Sequence, residues 1–365
     1  GASAAALLAH WAGAVVDGCD PGGASQYTPA LDAAGIAVAG THDARHVHAM
    51  PPPDRLAVTK ALTAIHPDHP ELAAARAAGI PLESWQQVVA DAAARRTRVP
   101  PPRTHGKPPT PGRLVHGPPP ARLHPRPLVG ALLPAADTGI GVPATARRGA
   151  GRPFVVEADE YAGNFDPYRP AVAVVTSAEW DHPDVFADRE AVIATFEAWL
   201  RRAAEGFDGA ADQGSVPVLV ANVADDGVAA LVERLTDWPG RVVATALVDV
   251  APQRVAGFAR GIGDRFRTLA GPASALLGRV VAADADGTTL EIAGLDPLAG
   301  PVRVRLATAG RHNAANALGV AGAASAVGAT PAAVAAGLAG FAGVGRRLER
   351  KGEAAGVVVY DDYGH

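Results

Sequence analysis

Four consecutive residues, Thr104-His105-Gly106-Lys107, have the composition of the end of a phosphate-binding loop. A glycine lets backbone amides approach an anion closely, and the lysine after it supplies a positive charge for the β- and γ-phosphates. A helix is expected to follow, with its N-terminal amides directed at the same anion. The flanks depart from the pattern G-x-x-x-x-G-K-[ST], because Arg103 and Pro108 stand where glycine and a hydroxyl residue are expected. The alternative interpretation is a proline-rich surface loop.

Acidic residues and a histidine follow two apolar runs that have the character of buried strands. Residues 154–156 run into Glu157, and residues 171–176 are followed by Asp181-His182. In parallel sheets, ligands bind in the crevice outside the carboxyl ends of the strands. These side chains are therefore predicted to lie at a ligand site, although a single acid after a strand is more often a cap or a turn residue.

Further polar residues occur at the starts and ends of predicted elements. Asn313 and Asn316 open a long Ala-rich helix, where they either bind a ligand or cap the helix. Arg347 lies in a pair of arginines, and Asp362 follows the run Val357-Val358-Val359-Tyr360. Asp20 follows the run at residues 14–16, in the place where a Rossmann-type fold holds a nucleotide or sugar hydroxyl. An ordinary turn aspartate is the alternative there.

The elements that must position these residues alternate between strand and helix. Short strands are predicted at 14–16, 36–38, 56–58 and 80–82, with helices between and after them, which indicates a parallel sheet and a domain boundary near residue 96. Residues 100–127 contain 11 prolines in 28 positions, which is typical of a linker. Ordered structure is expected to return at Pro153.

The second half of the chain follows the same logic. After the strands at 154–156 and 171–176 we predict a helix at 190–202, strands at 218–220 and 242–244 around a helix at 227–235, and an alternating β region at 278–306. Thr330-Pro331 predicts a helix start, with Thr as the cap and Pro at the first helical position. Together these patterns predict the α/β class.

Composition limits the function classes. A chain of 365 residues with 48% hydrophobic residues can build two or three cores. The net charge of -4 argues against a nucleic-acid surface, and no apolar run approaches the roughly 20 residues of a membrane span. The one cysteine, Cys19, suits a reducing cytosol, so a cytoplasmic location is expected.

Taken together and in this order, the motifs resemble those of the Mur ligase family, which builds the peptide stem of the bacterial cell wall. The resemblance covers essentially the whole chain and is weakest across 205–300. The matching stretches are Thr104 to Lys107, Glu157 to Tyr161, Asp181 to Asp184, Gly310 to Asn316, Arg346-Arg347 with Glu349, and Asp361 to His365.

The resemblance implies three domains. Residues 1–96 would form a Rossmann-like UDP-sugar-binding domain without its first strand. Residues 97–345 would form a central P-loop-type mononucleotide-binding domain with a parallel sheet, and 346–365 would begin a truncated third α/β domain that binds the amino acid. The closest branch joins L-alanine to UDP-N-acetylmuramate through an acyl phosphate, with ATP and Mg²⁺ as cofactors, in peptidoglycan precursor synthesis.

The resemblance also implies a role for each candidate residue. Lys107, with Thr104, His105 and Gly106, would bind the phosphates, and Arg347 would contact the γ-phosphate. Glu157 and His182 would hold Mg²⁺, although oxygen ligands are the usual choice of that ion. The remaining roles are adenine binding by Asn313 and Asn316, ribose binding by Asp362, and substrate binding by Gly1, Asp20 and His365.

Four alternatives remain at this point. The Arg103 and Pro108 departures favour a non-catalytic UDP-sugar-binding relic, and a decayed copy or a sequence error in residues 100–127 would produce them. A peptide-adding ligase of the same family is the second alternative, although the compact segment 160–170 argues against it. Folate polyglutamylating ligases share the central domain but not this type of N-terminal domain. A two-domain scaffold without a ligand is the fourth alternative, after the folate polyglutamylating ligase.

Overall fold

The computed structural model describes residues 1–94, 126–149, 151, 153–207, 216–248, 273–296, 300–341 and 349–361. These residues form two compact units. The first unit contains 1–94 and 132–148, and the second contains 126–131 and the described residues from 149 onward. Within the described ranges, no helix has both the length and the apolar character needed to cross a membrane.

Helices and strands alternate along both units. The helices are α1 Ala2–Trp11, α2 Thr28–Ala33, α3 Lys60–Ile65, α4 Pro70–Ala77, α5 Trp85–Ala94, α6 Ala135–Thr138, α7 Arg189–Glu205, α8 Asp226–Arg234, α9 Arg311–Ala326 and α10 Pro331–Gly340. The strands are β1 Asp17–Cys19, β2 Ala37–Ala39, β3 Leu56–Val58, β4 Leu82–Ser84, β5 Arg126–Leu133, β6 Ala144–Ala146, β7 Phe154–Val156, β8 Val172–Val175, β9 Val218–Asn222, β10 Arg241–Leu247, β11 Ala273–Asp284, β12 Gly287–Ala293, β13 Val302–Leu306, β14 Glu349–Ala354 and β15 Val357–Asp361. This architecture confirms the predicted α/β class with parallel strands.

The first unit is built on two parallel strand pairs, β1 with β2 and β3 with β4. Helix α1 packs against α5, and its buried face includes Leu7 and Leu8. Helix α4 begins with Pro70 at its first position, where the missing amide of proline costs no hydrogen bond. The loops that leave β1 and β2 therefore run side by side and end near α4.

The second unit is organised around a six-stranded sheet in the order β13-β12-β11-β10-β9-β8. Strands β8 to β11 are parallel, and β11, β12 and β13 are antiparallel. Helix α9 lies across β8, β9, β10 and β11, and two of its glycines make this close approach possible. A Cβ on Gly319 would lie 3.1 Å from Val174 Cγ1, and one on Gly322 would lie 2.7 Å from Val220 Cγ1.

Two apolar layers enclose the sheet. Under α9 and α10 the core includes Val174, Val220, Leu318 and Leu338, all at most 1% exposed. On α7, Trp199 and Phe196 pack around Phe165, with ring centroids 4.9 and 5.6 Å from it. The Trp199 indole also donates a hydrogen bond to the Tyr168 carbonyl at 3.2 Å. Core packing thus fixes both the sheet and the segment that follows β7.

The structure corrects the first predicted strand. Residues 14–16 are not a buried strand, since Val15 is fully exposed and the pairing with β2 uses Asp17–Cys19. Helix α1 ends at Trp11 and Gly13 takes a left-handed conformation with φ +96°, so the apolar run lies in the connection that leaves the helix. Asp20 nevertheless follows a strand, as predicted.

Two other expectations also need correction. Regular structure begins before Pro153, because β5, α6 and β6 all precede that residue. The apolar stretch 128–133 makes up most of β5. It was not predicted as a strand because it directly follows the proline-rich segment in the sequence. Strand β4 begins two residues later than predicted, because Leu56 pairs with Leu82.

Candidate functional site

Glu157 is the first residue after β7, at the carboxyl end of that strand. Its amide donates to the Leu128 carbonyl at 3.0 Å and so continues the parallel pairing of β5 with β7. Its carboxylate Oε2 accepts the Gly130 amide at 2.8 Å. A Cβ at Gly130 would lie 3.2 Å from that oxygen, so glycine allows the carboxylate to rest on the backbone of β5. Glu157 is therefore held by the sheet while it stays partly exposed.

His182 lies in the loop after β8 and has an unusual backbone. Its φ of +57° is left-handed, a conformation uncommon for residues other than glycine. The carbonyl of His182 accepts the Val185 and Phe186 amides, both at 2.9 Å, and its own amide donates to Asp181 Oδ1 at 2.7 Å. This network keeps a tight turn in place, and strained backbone of this kind is concentrated at functional sites.

Tyr161 joins the segment after β7 to the loop after β8. Its ring packs against the His182 ring with centroids 4.7 Å apart. Its hydroxyl donates to Asp184 Oδ2 at 3.0 Å, and this hydrogen bond raises the pKa of Tyr161. The two acidic segments predicted from the sequence to share a site are thus in direct contact.

The loop after β8 is held from its other side by polar residues that sequence reasoning did not select. Asn222 donates to the Thr176 carbonyl at 3.0 Å, and Asp225 accepts the Ser177 hydroxyl at 3.0 Å. Asp225 also caps α8 by accepting the Val228 amide at 2.9 Å. An aspartate directly before a helical run is a recognisable capping signal, but its second contact, to Ser177, is visible only in the tertiary structure.

Asn313 and Asn316 lie in the first two turns of α9, after Gly310 with φ +99°. The Asn313 amide group donates to the Ala309 carbonyl at 2.8 Å, and Asn316 is 6% exposed. Gly319, one turn later, approaches Thr176 just after β8. The start of α9 therefore lies towards the edge where β8 ends, on the same side as the Asp181-His182 loop.

The donor atoms at this edge fit a hard divalent cation only in part. The Glu157 carboxylate is a suitable Mg²⁺ ligand, whereas an imidazole such as that of His182 is a poor one. In the described residues, the groups of three ligand side chains within 4.8 Å of each other all lie in the first unit. A Mg²⁺ ion at this edge would thus rely on one or two protein ligands, with the phosphates of a nucleotide completing its shell.

Gly1 and Asp20 belong to the first unit. Gly1 precedes α1, and a Cβ there would lie 2.6 Å from the Trp85 ring, so the position is closely packed. Asp20 is exposed and accepts the Gly22 amide at 2.9 Å, which forms a turn after β1. The role of an ordinary turn aspartate, which was the alternative for Asp20, is present in this turn.

Several predicted site residues lie outside the described part of the chain. These are Thr104, His105, Gly106, Lys107, Arg347, Asp362 and His365. The predicted linker at 100–127 and the boundaries near 96 and 345 also fall largely or wholly there, so the corresponding roles and boundaries stay predictions.

Sequence comparison places the chain among known proteins. A model of the Mur ligase family catalytic domain matches residues 1–97. A UDP-N-acetylmuramate–L-alanine ligase from Kineococcus radiotolerans is 36% identical over 368 aligned positions, which cover 100% of this chain and 68% of that protein. The chain belongs to the Mur ligase family.

Solved structures of Mur ligases share the fold. The UDP-N-acetylmuramate-alanine ligase of Thermotoga maritima aligns with a TM-score of 0.70 and 20% identity, over 100% of this chain and 71% of that one. A murein peptide ligase of Psychrobacter arcticus aligns with a TM-score of 0.71 and 21% identity, over 99% and 70%. The two TM-scores differ by only 0.01, so fold alone does not separate these branches of the Mur ligase family.

Proposed function

We propose that this Mur ligase is an ATP-dependent carbon–nitrogen ligase that joins L-alanine to UDP-N-acetylmuramate in peptidoglycan precursor synthesis in the cytoplasm. The relative with 36% identity, named for that reaction, supports this substrate assignment. The chain spans about two thirds of that relative, 68% of its length, so the reaction is proposed for the full-length protein.

One observation carries the proposal. Tyr161 brings the segment that begins with Glu157 against the loop that holds His182, with ring centroids 4.7 Å apart. Both segments leave the carboxyl ends of strands, where α/β folds bind nucleotides. Two acidic segments that are separate in sequence thereby form one surface suited to a nucleoside triphosphate and its cation.

The reaction proposed for this surface has two steps. The sugar-linked carboxylate attacks the γ-phosphate of ATP, which releases ADP and forms an acyl phosphate. The amine of L-alanine then attacks the acyl carbon, loses a proton and displaces phosphate, which leaves an amide. Phosphoryl transfer depends mainly on positioning and on neutralising charge, so cations and backbone donors supply most of the rate enhancement.

The chain's own residues have distinct proposed roles in this reaction. Glu157 and His182 hold Mg²⁺, which neutralises charge on the β- and γ-phosphates when it is bound. Lys107, beside Thr104, His105 and Gly106, binds the same phosphates, and Arg347 contacts the γ-phosphate. Asn313 and Asn316 bind the adenine edge, and Asp362 binds the ribose. In the sugar site, the proposed residues are Gly1, Asp20 and His365.

The deciding measurement is phosphate release by the full-length protein with ATP, UDP-N-acetylmuramate and L-alanine. We expect release to require all three compounds. If ATP binds normally but no amino acid stimulates release, the ligase assignment is wrong. Stimulation by a peptide in place of L-alanine would instead identify a peptide-adding ligase of the same family.

A non-catalytic sugar-binding protein is the second candidate, and Arg103 and Pro108 favour it. Pro108 offers neither the hydroxyl that binds Mg²⁺ beside a nucleotide nor an amide for the phosphates. This candidate predicts UDP-N-acetylmuramate binding without phosphate release. The double substitution Arg103→Gly with Pro108→Thr would then be expected to increase ATP turnover, whereas turnover in the unaltered protein would exclude this candidate.

A further inference from the structure

Three loops of the first unit bring together five side chains that are able to bind metals. Cys19 is the last residue of β1, and His42 and His46 lie in the segment after β2. His69 and Glu71 lie at the start of α4. Sequence reasoning did not select this group, because its members are spread over 52 positions of the chain and follow no common metal-binding spacing.

Glu71 is the centre of this cluster and is 5% exposed. Cys19 Sγ lies 3.1 Å from each of its carboxylate oxygens, and His46 Nδ1 lies 2.6 Å from Oε1. His42 Nδ1 is 3.6 Å from Oε2 and 3.1 Å from Cys19 Sγ. The ligand side chains thus form two groups of three within 4.8 Å of one another, one of Cys19, His46 and Glu71 and the other of His42, His69 and Glu71, and Glu71 belongs to both.

These separations are close to those of a tetrahedral metal shell. Ligands bound at about 2.0–2.3 Å from a zinc ion lie roughly 3.3–3.8 Å from each other. The 3.1 and 3.6 Å separations of the cluster need changes of a few tenths of an ångström to match. The 2.6 Å hydrogen bond between His46 and Glu71 has to lengthen most, and His46 is exposed enough to move.

His69 provides a second, independent observation. Its side chain is buried at 7% exposure, and neither ring nitrogen has a hydrogen-bond partner among the described residues. The ring stands edge-on to His42 with centroids 4.3 Å apart, and a ligand atom of His69 lies within 4.8 Å of those of His42 and Glu71. Buried polar atoms without partners are costly, and a bound metal ion would satisfy one of them.

We propose that this cluster is a zinc site in which Cys19, His46 and Glu71, whose ligand atoms already lie within 4.8 Å of one another, bind the ion, and in which the buried His69 moves towards them as the fourth ligand. The donor set selects the metal, because thiolate and imidazole ligands suit Zn²⁺ and are poor ligands for Mg²⁺. The ion links the loops after β1 and β2 to the start of α4. It would therefore fix the backbone next to Asp20.

The test uses the whole chain, stripped of metal with a chelator and then titrated with Zn²⁺ against a chromophoric competitor. We expect one tightly bound Zn²⁺ per chain and a rise in the melting temperature of the protein. With Co²⁺ as the probe, we expect a thiolate charge-transfer band and the strong visible absorption of a tetrahedral site. Neither measurement requires ATP or sugar substrates, so the outcome is independent of the proposed ligase activity.

Matched variants locate the site, which matters because the chain has 12 histidines. Cys19→Ser is expected to remove the charge-transfer band and to weaken Zn²⁺ binding by about 100-fold. His69→Gln and His46→Gln are each expected to weaken Zn²⁺ binding by about 10-fold or more. His48→Gln, at an exposed position in the segment after β2, serves as the control and should bind Zn²⁺ as the unaltered protein does.

Two results would overturn the proposal. One is Co²⁺ binding without a thiolate band in a protein whose circular dichroism is native. The other is Zn²⁺ affinity that stays unchanged in both Cys19→Ser and His69→Gln, which would mean adventitious binding to surface histidines only.

Discussion

Glu71 in the first unit and Glu157 in the second present the same functional group in opposite environments. Glu71 is 5% exposed and accepts hydrogen bonds from Cys19, His46 and the Asp43 amide. Glu157 is partly exposed and accepts the Gly130 amide from the neighbouring strand. The comparison indicates that a carboxylate enclosed by side-chain donors stabilises its unit, whereas one held by the sheet edge is positioned for an external ligand.

The largest expected effect comes from Glu157→Gln. Loss of the negative charge should lower ATP-dependent phosphate release by about 100-fold, because Glu157 is the carboxylate proposed to hold the phosphate-bound cation. The stability of the protein should change little, since the glutamine still accepts the Gly130 amide. Steady-state phosphate release on the full-length protein measures the first effect, and urea unfolding measures the second.

Glu179→Gln is the matched control, because Glu179 is an exposed acid in the loop after β8. Equal losses of activity in the two variants would remove the distinction between Glu157 and an ordinary surface acid.

Unlike Glu157→Gln, Glu71→Gln should act mainly by lowering the stability of the protein. The amide that replaces the carboxylate has a single acceptor oxygen and loses the charge, so the Cys19 and His46 donors are no longer both satisfied. We expect the free energy of unfolding of metal-free protein to fall by about 2–3 kcal/mol. Asp68→Asn, at an exposed position just before α4, should leave it nearly unchanged. If Glu71→Gln left the free energy of unfolding unchanged, the cluster would not be what holds β1, the segment after β2 and α4 together.

A backbone change tests whether the edge of the second unit where β7 and β8 end is held as rigidly as the cluster around Glu71 in the first unit. A Cβ at Gly227 would lie 2.4 Å from the Ala178 carbonyl oxygen, in the loop after β8. Gly227→Ala should therefore destabilise the protein by about 1–2 kcal/mol and lower phosphate release by displacing this loop. Gly340→Ala has no atom within 4 Å of the new methyl group and serves as the control. Unfolding curves that coincide for the two variants would show that the loop after β8 accommodates the new methyl group without a loss of stability.

The smallest effect concerns a third carboxylate, Glu291, whose partners are arginines. Hydrogen bonds from Arg303 and then from Arg279 lower the pKa of Glu291 from its ordinary value of about 4.5. A lowered native pKa means that this stabilisation is fully present above about pH 4.5 and is lost as the pH falls through the native pKa. Glu291→Gln should destabilise the protein at neutral pH by at most about 1 kcal/mol, as surface ion pairs do.

Urea midpoints of the two proteins at about pH 7 and at about pH 3 measure this difference. The difference between the two urea midpoints should be smaller at about pH 3 than at about pH 7. A difference that is the same at both pH values would show that the effect does not come from the charge of Glu291.

Much of the fold and part of the site follow from the sequence. The strands at Leu56–Val58 and Phe154–Val156 have the predicted bounds, because a short apolar run determines local structure directly. The same reasoning failed for residues 14–16, since exposure of Val15 depends on what packs beside it. The two acidic segments after β7 and β8 were predicted to meet, and Tyr161 makes that contact.

The sequence by itself determined the α/β alternation, the family and the order of the chemical groups, because these depend on residue type and local spacing. Only the tertiary structure decided which groups meet. Cys19, His46 and Glu71 lie far apart along the chain, and Asp225 reaches Ser177 across 48 positions. Contacts of this kind depend on how the loops of separate strands are packed, and no local pattern in the sequence encodes that packing.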